Sequence, residues 1–215
     1  MKDLLLPLFP LPNVVLFPNV FLPLHIFEPR YREMVADALK HDRLIGMALL
    51  RPGWQRDYEG RPPVYPIGCS GVITHADRLP DGRYNIVLRG VQRFRILDED
   101  DCLSYRRAHI EQLPESTCCE ADTAEIRRQR AKLDTLLAPA IERSFADMTG
   151  EPKIPAAMAD EDLVNALAQY LDLEMLEHQA LLECDGVLAR CRALIDLLEM
   201  KIRAPRGGWS GHRAH

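Results

Sequence analysis

No glycine in this chain is followed by lysine, no two cysteines have C-x-x-C spacing, and no serine stands in a G-x-S-x-G turn. A nucleotide-hydrolysing P-loop cradles phosphates with a glycine-rich turn ending in Gly-Lys. The five lysines, Lys2, Lys40, Lys132, Lys153 and Lys201, all follow other residues, so that motif is excluded. Ser70, Ser104, Ser116, Ser144 and Ser210 offer no nucleophile elbow of the hydrolase kind. The six cysteines, Cys69, Cys102, Cys118, Cys119, Cys184 and Cys191, read as reduced thiols and not as a zinc site. No apolar run approaches the roughly 20 residues that span a bilayer, and the early hydrophobic stretch is cut by proline too often for a signal segment. A cytoplasmic protein without a membrane partner is expected. Positive charge is also short: the net charge of −5 argues against nucleic acid as the main partner.

What the chain does have is proline among large apolar residues. Leu4 to Met34 holds Pro7, Pro10, Pro12, Pro18, Pro23 and Pro29. Each proline fixes φ and removes a backbone donor, so the stretch can supply only short or edge strands joined by rigid turns. Its apolar residues still need a core, which argues against a linker and for strands wrapped onto a sheet. With 47% hydrophobic and 27% charged residues, 215 residues make an ordinary globular protein, either one large domain or two small ones. Residues 1–114 carry 15 basic and 14 acidic groups, residues 115–215 carry 12 and 18. That shift coincides with a change of pattern and places a subdomain boundary near Pro114.

Leu4–Leu8, Phe21–Ile26 and Leu44–Leu50 read as strands, and Glu28-Pro29 opens a helix with Tyr31, Met34, Val35, Ala38 and Leu39 on one face. Arg30, Arg32, Glu33 and Asp37 then face mostly outward, and Glu28 and Arg32, four apart, are spaced to pair. Ile67–Thr74, Arg83–Leu88, Val91–Leu97 and Leu103–Ile110 are further strands, with Asp81-Gly82 as a hairpin turn and Gly90 as the next reversal. Arg89, Arg93 and Arg95 share one face, and Phe94 and Ile96 take the other, with Phe94 in the core. The acidic run Asp98–Asp101 reads as a solvated strand-end turn, since it lacks the glycine and distal glutamate of a calcium loop.

From Cys119 the period becomes helical. Ile126, Leu133, Leu137, Ile141 and Phe145 form a stripe that Pro139 should kink or divide. Asp160 and Asp172 read as N-caps for helices at 161–171 and 173–183, and Asp185 precedes a last helix with Val187, Cys191, Leu194, Ile195, Leu198 and Ile202 on its buried face. The fold class is α+β: an N-terminal β-rich twisted sheet or pseudo-barrel with one interposed helix (1–114), then a helical bundle (115–204) and a disordered tail (205–215).

Several strings resemble a known family in both order and spacing. LPLFPL (6–11), VLFP (15–18), LPLHIFEPRYREM (22–34), IGM (45–47), IGCSG (67–71), DGRYNIVLRG (81–90), RFRI (93–96) and LLECDGVLARCRALIDLL (181–198) are similar to the N-terminal, so-called substrate-binding domain of ATP-dependent Lon proteases. The same domain occurs in cereblon and in small stand-alone bacterial proteins. The resemblance covers residues 4–203 and implies a PUA-like barrel, recognition of polypeptide, and neither motor nor protease domain. A stand-alone, non-enzymatic adaptor or holdase for unfolded proteins is the reading it implies. Protein clients are the expected partners, a collaborating protease or chaperone is left open, and no cofactor is expected.

Two other classes stay in view. A hydrolase or peptidase of unrecognised type would show a tight cluster of titratable residues in a pocket. A small-molecule sensor is the other, although the ligand-binding unit of cereblon is a separate zinc-bearing domain whose C-x-x-C pairs are absent here. His25, His75 and His109 fall in separate strands without metal-type spacing, so neither a metal nor a catalytic role is assigned. The loop 51–63, RPGWQRDYEGRPP, is the candidate binding element. Trp54 and Tyr58, flanked by Arg51, Arg56 and Arg61, are the residue types that dominate binding hot spots, and Arg30 on the first helix is added to them. For Trp54 two readings remain: contact with a client, or burial on the sheet.

Overall fold

The computed structural model describes residues 4–58, 60–100, 102–115, 120–144 and 158–203. In chain order the elements are β1 (Leu4–Leu11), β2 (Phe21–Ile26), α1 (Pro29–Ala38), β3 (Leu44–Leu49), a short 3-10 turn (Trp54–Asp57), β4 (Ile67–Arg78), β5 (Tyr84–Asp100) and β6 (Arg106–Leu113). Four helices follow: α2 (Glu120–Ser144), α3 (Asp160–Tyr170), α4 (Met175–Glu183) and α5 (Val187–Arg203). The strands run in the order β2-β5-β4-β3-β1-β6, and β6 pairs back onto β5. Five strands therefore close into a barrel, and β2 hangs on the outside of β5. Only β1 and β3 are parallel. The connection between them carries β2 and α1, as a parallel pair requires.

Alternation along the strands sends one set of side chains into the barrel and the other outward. Leu6, Leu8, Ala48, Phe94, Ala108 and Ile110 fill the interior. The Phe94 ring is fully buried, and it lies so close to β4 that a Cβ on Gly68 would stand 2.6 Å from its Cζ and 2.4 Å from the Met47 carbonyl. Gly68 and Gly46 leave the room that this ring occupies. The outward set, including Ile45, Met47, Cys69, Ile73, Ile86 and Leu88, belongs to a larger core. Leu16 and Phe17 of the β1–β2 connection, Tyr31, Met34 and Val35 of α1, and Val164, Leu181 and Leu194 of the helices complete it.

Polar contacts fasten the helices to the barrel. Gln169 of α3 accepts from the Phe17 amide (3.1 Å) and donates to the Val15 carbonyl (2.7 Å), and the adjacent Tyr170 hydroxyl donates to the Phe21 carbonyl (2.7 Å). Gln179 of α4 donates to the Ile67 carbonyl (3.0 Å). Arg190 is fully buried. It donates to the Leu181 carbonyl (3.1 Å), Asn165 Oδ1 (2.6 Å) and Glu115 Oε1 (2.8 Å), and Arg93 reaches the same Glu115 oxygen (2.9 Å).

Several expectations are corrected. Gly90 is no reversal: β5 runs unbroken through it, and a Cβ there would stand 2.0 Å from the Phe17 carbonyl oxygen. The glycine admits the close approach of the β1–β2 connection, whose Asn19 amide donates to the Gly90 carbonyl (3.0 Å). A register shift opposite Ser70 and Gly71 leaves Val91 as an extra residue in β5. This bulge separates Arg89 from Arg93 and Arg95, and turns Arg93 under the helices. The acidic run is strand and not turn through Asp100: Glu99 and Asp100 pair across the ladder with Ala108 and Arg107. The last strand begins at Arg106, three residues later than expected.

In the helical part Ala159, not Asp160, holds the N-cap position of α3. Asp160 is the first helical residue and pairs with Arg130 (2.8 Å). Glu174 caps α4 through a reciprocal box with Glu177, in place of Asp172. Ile126, Leu133 and Leu137 are buried as expected. The Ile141 side chain, Phe145 and residues 205–215 lie outside the described residues. The α2 helix is not divided at Pro139, and Ile202 is exposed.

Candidate functional site

The loop between β3 and β4 closes at its base. Leu50 bridges to Val64, and the Arg51 amide donates to the Pro63 carbonyl (2.8 Å). Gly53, at φ +92°, makes the left-handed step that starts the 3-10 turn. That turn sets Trp54 edge-on against Tyr58, with ring centroids 5.4 Å apart and planes at 63°. Both rings are only partly exposed, and neither belongs to a buried core cluster.

Tyr58 meets the start of α1. Its hydroxyl donates to Glu28 Oε1, and Arg30 donates from Nε to Glu28 Oε2 (3.1 Å) and from Nη2 to the Tyr58 carbonyl (3.4 Å). The Arg30 guanidinium also lies 4.7 Å from the Tyr31 ring centre and 5.2 Å from that of Tyr58. Glu28 thus pairs with Arg30 and not, as its spacing suggested, with Arg32. Burial pushes the Tyr31 phenol up to about 12. Burial, then the Glu28 carboxylate, raises that of Tyr58 as well. Both rings therefore stay neutral near pH 7.

Beside this group opens a cavity of about 310 Å³, between the start of α1, the return of the loop, and residues 103–106 that lead into β6. Pro10, Leu50 and Leu103 give it an apolar part; Tyr31, Tyr58 and Tyr105 add aromatic rings; Arg30, Arg61 and Arg106 supply charge. Arg106 is nearly buried and forks onto Glu99 with Nε (2.7 Å) and Nη2 (2.5 Å), while Nη1 donates to the Pro62 carbonyl (2.7 Å). Arg61 is exposed, and its Nη1 donates to the Asp100 carbonyl (3.4 Å). Tyr105 donates to Asp37 (3.3 Å) and Ser104 to Glu33 (2.7 Å).

Of the residues singled out in the sequence, Arg30, Tyr58 and Arg61 come together at this cavity. Trp54 stands behind Tyr58 and does not line it. Arg51 turns away, donating from Nε to the Val64 carbonyl (3.0 Å) with its guanidinium 5.3 Å from the Tyr65 ring centre. Arg56 is exposed on the 3-10 turn, off the cavity. The reading missed Tyr105 and Arg106, some forty residues downstream. A signal existed: Glu99-Asp100 and Arg106-Arg107 lie on opposite sides of one hairpin, with the spacing that puts opposite charges across a ladder.

This set of cations, neutral phenols and apolar surface can hold a ligand by charge, hydrogen bonds and ring contact. Among the described residues no group of three His, Cys, Asp or Glu side chains is placed to hold a metal ion, and no helix is long and apolar enough to cross a membrane.

The model of the ATP-dependent protease La (LON) substrate-binding domain matches residues 5–200. Lon protease 2 of Myxococcus xanthus is 26% identical over 204 residues, and the Lon protease of Trichlorobacter lovleyi 30% over 206. These alignments cover 91% and 90% of this chain but 24% of each relative, so the chain spans about a quarter of the length of the curated relatives it matches. Two solved structures share the fold: the N-terminal domain of a Mycobacterium avium complex Lon protease (TM-score 0.64, 18% identity) and a Lon N-terminal domain protein from Xanthomonas campestris (TM-score 0.58, 24% identity). Each comparison covers 91% of this chain and 98% of the other. The same strings that resembled the Lon N-terminal domain in the sequence, LPLFPL, IFEPRYR and G-x-x-RF, build β1, the start of α1 and the closing half of β5, and the chain belongs to the LON substrate-binding domain family.

Proposed function

We propose that this chain is a non-catalytic polypeptide-recognition protein, acting in the cytoplasm as an adaptor or holdase for unfolded clients. The observation that carries this reading is the family match over residues 5–200. The cavity between α1, the β3–β4 loop and the start of β6 supports it, because it combines rings, cations and apolar surface as binding hot spots do. Trp54 extends the aromatic surface beyond Tyr58, and Arg56 and Arg51 lie on the exposed flank of the same loop. Residues 1–114 and 115–204 are proposed to act as two subdomains, with client contact on the first.

The experiment is a binding titration with a permanently unfolded model client. Trp54→Ala with Tyr58→Ala should weaken binding by about tenfold while the fold is retained, on the scale of a hot-spot pair. Full binding by the folded double variant would remove this loop from the site. Purified protein should also neither hydrolyse ATP nor cleave casein, and turnover that follows the protein through further purification would contradict the non-catalytic reading.

A further inference from the structure

The strand β4 outruns its neighbour. β3 pairs with β4 only from Cys69 to Val72, and the last backbone bond between the two segments runs from the Ile73 amide to the Arg43 carbonyl (2.9 Å). Arg43, at φ +62°, makes the left-handed step by which the chain coming from α1 swings into the line of β3. Past that point β4 continues to Arg78 with β5 on one side and, among the described residues, no strand on the other.

This open edge has a defined phase. The Leu79 amide donates to the Arg83 carbonyl (2.9 Å) at the hairpin, so alternation turns the backbone groups of Asp77 and His75 towards β5. The N–H and C=O of Ala76 and of Arg78 then point away from it, about 7 Å apart along the edge. The opposite edge of the same three-stranded part is guarded. Pro23 stands where β2 would turn an amide outwards and has none, and the Tyr170 hydroxyl takes the Phe21 carbonyl. No such guard lies against Ala76 or Arg78 among the described residues. Ala76 is small and half-buried at the fringe of the larger core, and the Arg78 guanidinium lies 5.9 Å from the Tyr84 ring centre. The nearby carboxylates do not take that charge: Asp77 points to the other face, and Asp81 is paired with Arg83 (2.6 Å).

We propose that this edge takes up an extended segment of polypeptide, antiparallel to β4 in the line that β3 leaves, with an apolar residue beside Ala76 and an acidic one beside Arg78. The proposal rests on the polypeptide-recognition reading and gives it a place and a chain geometry apart from the loop 51–63. Backbone bonds from two residues recognise any extended chain, and the two side-chain neighbours set the preference. An unfolded client offers such segments freely, whereas a folded protein has already paired most of its backbone groups.

Amide hydrogen exchange followed residue by residue tests it, with a permanently unfolded client and with a short peptide carrying glutamate and valine two apart between threonines. The amides of Ala76 and Arg78 should exchange freely in the unbound protein and slow about tenfold near saturation, while those of His75 and Asp77 change little. Fluorescence anisotropy supplies a second arm. N-methylation of the peptide's glutamate and valine amides should weaken binding about tenfold, and N-methylation of its threonines should not. Arg78→Glu should transfer the preference to a peptide with lysine in place of the glutamate. Ala76→Pro removes only an outward amide, so it should keep the urea midpoint of the parent and abolish peptide binding; should that variant unfold, the N-methylated peptides decide on the unaltered protein. Unslowed exchange at Ala76 and Arg78 with client bound, or equal effects of the two N-methylated peptides, overturns the proposal and leaves the wider reading standing. Absence of client binding by the unaltered protein overturns both.

Discussion

Two groups of arginines in this molecule use the same chemistry to opposite ends. In the first, Arg93 and Arg190 share Glu115 between β5 and the helices, and both guanidiniums are nearly or wholly buried. Most of their remaining donors go to carbonyls at the end of α4: Leu181 receives Arg190, and Leu182 and Cys184 receive Arg93 (3.1 and 2.6 Å), while Arg190 also reaches Asn165 and Arg93 faces Asp185 (3.7 Å). These carbonyls belong to the last turn and C-cap of α4, whose negative end joins Asp185 in offsetting the second positive charge. In the other group Arg30, Arg61 and Arg106 are braced from behind and face an open volume. A guanidinium whose donors are spent on backbone is a fastening; one that is oriented but faces a cavity can receive a ligand.

The largest expected effect would break the first group. Glu115→Ala strands two buried guanidiniums and should cost about 5 kcal/mol, the upper end for an interrupted buried ion pair. An unchanged urea midpoint would show that the carbonyls, Asn165 and Asp185 satisfy both arginines without it. Phe94→Ala, inside the barrel on the opposite face of β5 from Arg93, should cost roughly 3 to 5 kcal/mol, with the cavity left by the ring adding to the lost transfer energy. A shift below one kcal/mol would mean that the Gly46 and Gly68 strands can collapse onto the space.

Smaller effects sharpen the contrast on the side of the open group. Trp54→Ala with Tyr58→Ala should lower stability by only about 2 kcal/mol, the ring pair together with the Tyr58 hydroxyl's bond to Glu28, because neither side chain is in a core. A loss of several kcal/mol would place the loop with the structural cluster. The smallest effect is electrostatic. Two bonds from Cys102, and then Arg107, hold Asp100 down to about 2 from its usual 3.8. A carboxyl depressed in the folded state contributes stability above its unfolded value that is lost as pH falls towards its folded one. Acid titration should therefore show a contribution disappearing between pH 3.8 and about 2, absent in Asp100→Asn. Coincident acid profiles of the two proteins would rule it out.

Much of the fold was legible because periodicity reports burial directly. The α1 face of Tyr31, Met34, Val35 and Ala38 and the core role of Phe94 follow from spacing alone. Errors arose where one residue changes the phase. Val91 adds a step to β5, and from there Arg93 lies with the core and not with Arg89. Gly90 reads as a turn in a string, but its cause is the Phe17 backbone pressed against it, a contact between segments seventy residues apart. The site was half legible for the same reason. Loop composition points to Tyr58 and Arg61, whereas Arg106 joins them only because the β5–β6 ladder brings residues 99 and 106 together. Arg190 carried no signal, since a lone arginine on an amphipathic helix ordinarily faces water.

The grip of Gln169 and Tyr170 on residues 15 to 21 bears on how the protein is made. The partners are about 150 residues apart in the chain. At a synthesis rate of about 5 to 20 residues per second, the Leu16–Phe17 segment leaves the ribosome on the order of ten seconds before the helix that clasps it. Closing so long a loop also slows the step once both halves are present. For that interval the nascent chain displays an extended apolar segment near its start, the kind of surface that chaperones and proteases engage. Synthesis slowed between codons 20 and 170 should then raise its aggregation more than slowing after codon 170.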